Sequence, residues 1–206
     1  NYFIMPCFNK DLNNDSFYFP CKYDEPSFVY AGSLDAWQCI EETLELYSLI
    51  EKKMPNANLT LLTKQTEYAK LLLEKYNIKN SKVKFVPLKE LDNELQKFKY
   101  GFLIRKNHIV NNVSTPTKMN SYLANGIIPI YTDVIEDFNT NFNHESFICL
   151  KHKESINYWM DEIVAFDEEK EIDIKLYEKQ VITLFNFYYS KDYYINEFSK
   201  NANILG

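Results

Sequence analysis

The sequence predicts an α/β protein built on a doubly wound parallel sheet. Two observations carry that prediction. Short apolar segments alternate with amphipathic helical ones from Phe28 to about Leu150, the order expected of strands joined by right-handed crossovers. The short segments are also continuously apolar, which fits strands covered on both faces. Ligands of such sheets bind beyond the carboxyl ends of the strands, near the switch in strand order. A site is therefore expected among the loops that begin at Gly32, Thr63, Pro87, Arg105 and Tyr131.

Residues 1–27 read as an irregular linker or extended arm, with Pro6, Pro20 and Pro26 among Asn and Asp clusters. Phe28 to Ala31 is the first strand, ending at Gly32. Asp35 to Met54 is a helix with Asp35 as N-cap and Ile40, Leu44, Tyr47 and Ile50 at helical spacing; Pro55 stops it. Leu59 to Thr63 is the second strand, and a helix opening at Thr63 or Gln65 runs to Tyr76. Val83 to Val86 is the third strand, followed by Pro87 and a short helix through Leu91 and Leu95.

Tyr100 to Ile104 is the fourth strand, and Arg105 to Thr115 a polar loop. Pro116 favours the first turn of a helix over Lys118 to Asn125, which Gly126 ends as a left-handed cap. Ile127 to Tyr131 is the fifth strand, where Pro129 argues for an irregularity or a sheet edge. Phe147 to Leu150 is a sixth, and helices follow at 154–166 and 173–189 with a tail to about Asn203. The expected division is a linker over 1–27, a ligand-binding domain over 28–152, and helices over 153–206 that pack on it.

The chain has 206 residues, enough for one to one and a half domains with a substantial core. Its 46% hydrophobic and 25% charged residues exclude wholesale disorder. No apolar run approaches the ~18 residues of a membrane span. Asn1 to Phe8 is too short and lacks the basic flank of a signal peptide, and the missing initiator Met suggests a processed chain or a piece of a longer one. A net charge of -6 argues against a general nucleic-acid or anionic-membrane binder. Cys7, Cys21, Cys39 and Cys149 form no C-x-x-C pair, so reduced thiols are expected rather than a zinc or redox site.

The charge distribution says more than its sum. Among 29 acidic residues, none lies between Leu95 and Thr132, a window that holds Lys97, Lys99, Arg105, Lys106, His108 and Lys118. It covers the fourth strand, its loop and the next helix N-terminus. Helix N-termini attract anions through free N–H groups and the macrodipole. An anionic ligand, a phosphate or diphosphate, is expected there; a basic patch balancing acidic helices is the alternative. Gly32 lets backbone approach a ligand closely, but neither G-x-G-x-x-G nor a Walker loop occurs.

The stretch STPTKMNSYLANGIIPI (Ser114 to Ile130) resembles the P-x-K-x-x-E-Y-L-A-x-G-x-P-V-I signature of the large retaining class of GT-B-fold glycosyltransferases. VYAGS (Val29 to Ser33) looks like the first strand and loop of that family's Rossmann-like donor half. KVKFVP (Lys82 to Pro87) looks like its nucleotide-base strand, and IMPCFN (Ile4 to Asn9) stands where such chains enter their second domain. The resemblance implies a donor-binding half whose acceptor-binding N-terminal domain is missing. It puts a nucleotide base at Val86, Pro87 and Leu88. It puts a diphosphate between Gly32, Ser33 and the helix opening at Pro116 and Thr117. Lys118 and Arg105 would be the catalytic cations, with Asn112, Ser121 and Tyr122 completing the donor site. Departure of a nucleoside diphosphate stabilised by fixed cations needs no metal or other cofactor, and the sequence has no D-x-D motif.

Four positions depart from the pattern. Ser121 replaces the Glu expected to bind ribose, Val113 a second acid, Ser33 an Arg, and Gln38 a Lys. The acid-free window favours a divergent branch whose cations moved to Arg105 and Lys118, over decayed donor binding. His108 reads as a loop residue, with a phosphate contact as the alternative, and Asn111 and Asn112 as possible sugar partners. Trp37 reads as packing under its loop rather than stacking on a base or sugar, and Glu41 and Glu42 as a solvated helix face. The aromatic stretch from Phe185 to Tyr194 reads as a helix packing across the sheet or onto a partner domain.

The function implied is transfer of a sugar from a nucleoside-diphosphate-sugar to a glycan or lipid-linked acceptor. Its setting would be surface-polysaccharide assembly, in the cytoplasm or at the inner face of the membrane. The alternatives are a non-catalytic α/β interaction domain and a nucleotide-sugar epimerase of the same fold.

Overall fold

The computed structural model describes residues 5–142, 145–169 and 171–203. Ile4 of the IMPCFN segment and the last three positions of the C-terminal segment lie outside the described residues. The strands are β1 (Ser27–Ala31), β2 (Asn58–Leu62), β3 (Ser81–Lys84), β4 (Tyr100–Leu103), β5 (Ile128–Thr132) and β6 (Ile148–Leu150). The helices are α1 (Ile40–Lys53), α2 (Thr66–Lys75), α3 (Leu91–Leu95), α4 (Ile109–Asn112), α5 (Thr117–Ala124), α6 (Glu136–Asn141), α7 (Ile156–Glu169), α8 (Ile174–Asn186) and α9 (Lys191–Asn203). One sheet forms in the order β3-β2-β1-β4-β5-β6, and every pairing is parallel. The order reverses between β1 and β4, so the loops after those strands flank the switch point.

The central strands are continuously apolar because helices cover both faces: every residue of β4 and β5 is buried. Phe28 stacks on Tyr100 and Phe102 at 5.0 and 5.4 Å, one ring layer across β1 and β4. β3 differs. It is an edge, half-buried and exposed in turn, and pairs with β2 over Ser81–Lys84 rather than Val83–Val86. At an edge the ladder, not hydrophobicity, sets the limits, and Phe85 and Val86 are thereby freed to line a cavity.

Pro129 sits in an interior strand, against expectation. Ile128 donates its N–H to Lys99 O on the β4 side. Alternation along the strand turns the Pro129 nitrogen to the β6 side, where pairing starts only at Ile130–Ile148. The missing donor therefore costs no ladder bond. Asp35 is not the cap of α1: it precedes a 3₁₀ turn over Ala36–Gln38, and Cys39, at φ 54°, stands before the helix. Gly126 does end α5, at φ +63°.

Two flanking segments complete the core. In the N-terminal arm Phe17 is fully buried, Asn13 N–H donates to Ala124 O, and Asn120 Oδ1 accepts from Asn9 and Lys10 N–H. From α8, fully buried Tyr177 donates to Ile127 O. The aromatic stretch divides: Tyr188 and Tyr189 are buried against Phe142, while Phe187 and Tyr193 are exposed. Among the described residues, no helix is long and apolar enough to cross a membrane.

Candidate functional site

A cavity of about 1320 Å³ opens at the carboxyl ends of β1, β2, β3 and β4. Gly32, Ser33, Arg105, Pro116, Thr117 and Lys118 line its centre. Val86, Pro87, Leu88, Leu91 and Leu95 form an apolar slot on the β3 side. Ser121 and Tyr122 also face it, so the structure brings together every expected site residue except Asn112. The short α4, an element unforeseen in the polar loop, turns Asn111 into the cavity wall and Asn112 away from it.

Two cations meet at the centre. Arg105 follows β4 and is 3% exposed. Its backbone is fixed by Thr132 at the end of β5, whose hydroxyl accepts from Arg105 N–H at 2.9 Å and donates to Arg105 O at 2.8 Å. Its guanidinium donates to Gln38 O (3.0 Å), Ile104 O (3.0 Å) and Gln38 Oε1 (2.5 Å). Lys118, in the first turn of α5, reaches the same Gln38 Oε1 at 3.4 Å and lies 3.9 Å from the centre of the Tyr30 ring. No ion pair to a carboxylate forms at either cation among the described residues.

That environment sets their protonation. Lys118 as a whole is half-buried and lines the cavity, with its ammonium next to Tyr30, Gly32 and Gln38. Burial, then the Arg105 charge, hold its pKa well below 10.5. Burial lowers the Arg105 pKa as well, though a guanidinium stays charged. A second anion-attracting feature is α5 itself, whose first turn has no side-chain cap and no acid. Tyr30 donates to Ser33 O at 2.6 Å and holds the loop after β1 over this point. Gly32 has φ +143°, where a side chain would be strained, and its missing Cβ would lie 3.5 Å from Lys118 Nζ.

Some expected residues have other work. Tyr122 is fully buried and its hydroxyl bridges Ala31 N–H and Phe102 O. Its ring packs where a Cβ on Gly101 would come within 2.6 Å, so β4 needs glycine there. The Ser121 hydroxyl donates to Thr117 O. His108 is a helix cap, its Nδ1 accepting from Val110 N–H. Glu41 is not simply solvated: it accepts from the Tyr76 hydroxyl and pairs with Lys75. Trp37 does not pack under its loop. It is 60% exposed on the cavity wall, with the Arg105 guanidinium 5.6 Å from its ring centre.

Sequence reasoning named Gln38 only as a missing cation; its role as the shared acceptor came from the fold. Among the described residues no group of three or more His, Cys, Asp or Glu is placed to hold a metal ion.

No family model and no curated protein matches the sequence. Solved structures do match the fold. Staphylococcus aureus TarM, in complex with Fondaparinux, α-GlcNAc-glycerol and UDP, aligns at TM-score 0.63 and 13% identity over 96% of this chain and 38% of its own. The lipopolysaccharide outer core galactosyltransferase WaaB aligns at 0.65 and 12% over 95% and 54%. The C-terminal domain of the group 1 glycosyltransferase LpcC from Francisella tularensis aligns at 0.52 and 13%, over 86% and 89%. The chain spans about two fifths of TarM, and its matches fall mostly in the C-terminal halves of such proteins. The chain has the Rossmann-like fold of the C-terminal domain of GT-B glycosyltransferases.

Proposed function

We propose that this chain is the donor-binding domain of a glycosyltransferase, holding a nucleoside-diphosphate-sugar while its sugar passes to a glycan or lipid-linked acceptor. The observation that carries the reading is the pair of buried Arg105 and half-buried Lys118, side by side with one amide oxygen between them and no carboxylate. Two neighbouring cations drawn at least partly out of water without a counterion are costly unless a ligand supplies the charge. A diphosphate fits that need, and the uncapped end of α5 adds N–H donors to it. The apolar slot at Val86, Pro87 and Leu88 suits a base. TarM, and the pneumococcal O-GlcNAc transferase GtfA at TM-score 0.62 and 9% identity, are complexed with UDP.

In this reading the bond from the sugar to the diphosphate breaks as the acceptor oxygen attacks. The growing negative charge on the leaving diphosphate is met by fixed cations and dipoles. A partner domain would supply the acceptor site. The setting, surface-polysaccharide assembly at the cytosolic side, belongs to the same proposal. Calorimetry with UDP-, GDP- and ADP-sugars on wild type and Lys118→Ala tests it: binding is expected for one panel member, weakened by the substitution. No binding, or binding indifferent to Lys118, overturns the site. Conversion of a nucleotide-sugar without acceptor identifies an epimerase instead.

A further inference from the structure

Gln38 is 9% exposed, and its surroundings fix which group it can offer. It ends the 3₁₀ turn after β1, where its N–H donates to Asp35 O at 2.8 Å. The two cations it meets come from the other side of the switch point, Arg105 after β4 and Lys118 in the first turn of α5. Arg105 grips it twice, donating to Gln38 O at 3.0 Å and to Gln38 Oε1 at 2.5 Å. Lys118 Nζ donates to the same Oε1 at 3.4 Å. Turned round, the amide would set its own N–H donors against a guanidinium and an ammonium, neither of which can accept. The position therefore requires an acceptor at this reach.

Two side chains of that length end in an oxygen acceptor, Gln and Glu. They differ in charge, and the difference decides what the site can bind. A carboxylate there would form ion pairs with both cations and stand in for an anionic ligand. The amide oxygen accepts the same two hydrogen bonds and cancels neither charge. Two like charges repel, and a shared acceptor holds them near one point before a ligand arrives. The grip leaves donors over. A guanidinium has five and an ammonium three, and Lys118 has one long hydrogen bond among the described residues. Resting on the donor-site reading above, we propose that Gln38 is the positioning residue of the anion site, a neutral bridge that holds Arg105 and Lys118 together for one diphosphate and leaves their charge to it.

The test is calorimetry of UDP, GDP and ADP on wild type, Gln38→Glu, Gln38→Met and Gln65→Glu, with thermal unfolding of each protein. Gln65 lines the same cavity, but its Oε1 accepts from Leu34 N–H and from neither cation. Gln65→Glu therefore adds the same charge without touching the bridge. For the nucleotide that wild type binds, Gln38→Glu is expected to weaken affinity at least about 30-fold, while the melting temperature stays the same or rises. A merely structural role would leave that affinity intact, because Glu preserves both contacts. Gln38→Met, which puts a thioether in place of the oxygen, should weaken binding about 5-fold and lower the melting temperature. Gln65→Glu should cost less than about 3-fold. Binding by Gln38→Glu within about 3-fold of wild type overturns the proposal. Equal losses in Gln38→Glu and Gln65→Glu also overturn it, in favour of a general effect of negative charge. Failure of wild type to bind any of these nucleotides overturns the donor-site reading itself, and this proposal with it.

Discussion

Each end of α5 carries a lysine drawn out of water, Lys22 buried and Lys118 half-buried, and they are opposite in character. At the C-terminal end, Lys22 from the N-terminal arm is 3% exposed and donates to Ser16 O and Asn125 O. At the N-terminal end, Lys118 has one amide oxygen at 3.4 Å and an aromatic face. A helix dipole favours a cation at its C-terminus and disfavours one at its N-terminus. Lys22 therefore sits where backbone carbonyls need a donor, and closes the fold. Lys118 sits where backbone N–H groups already attract an anion, beside a second cation, facing a cavity. Burial lowers the pKa of both, that of Lys22 to about 7. The same physical shift thus marks a structural clamp at one end and a site awaiting negative charge at the other.

Lys22→Met is the hardest break of this comparison. It orphans two buried carbonyls, with an expected loss of about 2–5 kcal/mol in urea unfolding. Lys118→Met should do the reverse. It removes a half-buried amine that lies beside Arg105 and has no carboxylate partner, so the melting temperature stays the same or rises, while calorimetry shows nucleotide-sugar affinity falling about 10- to 100-fold. A diphosphate should raise the lowered Lys118 pKa, so any proton uptake on binding, read as a dependence of the binding enthalpy on the buffer's ionisation heat, should grow as the assay pH is raised. Lys118→Met should lose that dependence.

A pH series sharpens the comparison further. Lys22 binds its proton more weakly folded than unfolded. Below about pH 7 it is charged in both states, and its burial cost is fully present. Between about pH 7 and 9.5 the folded state sheds the proton first, so stability should rise with pH by up to about 1.4 kcal/mol per unit. Lys22→Met should flatten this slope. The smallest effect is expected from Arg105→Lys, which keeps the charge but loses the forked grip on Gln38. About a 5-fold loss of affinity is expected, without a change in fold.

Much of this was legible in the residues. The acid-free window from Leu95 to Thr132 and the P-x-K spacing at Pro116 and Lys118 pointed to the anion end of α5. The limits of β3 were not legible, because an edge strand is bounded by its partner's ladder. Pro129 misled because a sequence does not say which neighbour a missing N–H faces. Trp37 was misplaced for a related reason: an aromatic near a loop reads as core, and only its position over Arg105 shows it on the cavity wall. Asn112 lost its place to Asn111 because one helical turn in a polar loop left no periodic signal.

The sequence by itself determined the alternation of strands and helices, the parallel sheet and the electropositive stretch, because these are properties of neighbours along the chain. Tertiary structure alone decided that Gln38 is the acceptor shared by Arg105 and Lys118, that Phe17 and Lys22 of the arm belong to the core, and that Lys22 is held by two backbone carbonyls where half-buried Lys118 has one long hydrogen bond. The reason is that charge state and hydrogen-bond satisfaction depend on what surrounds a group in space. Those surroundings are drawn from segments as far apart as the arm, the loop after β1 and the two ends of α5.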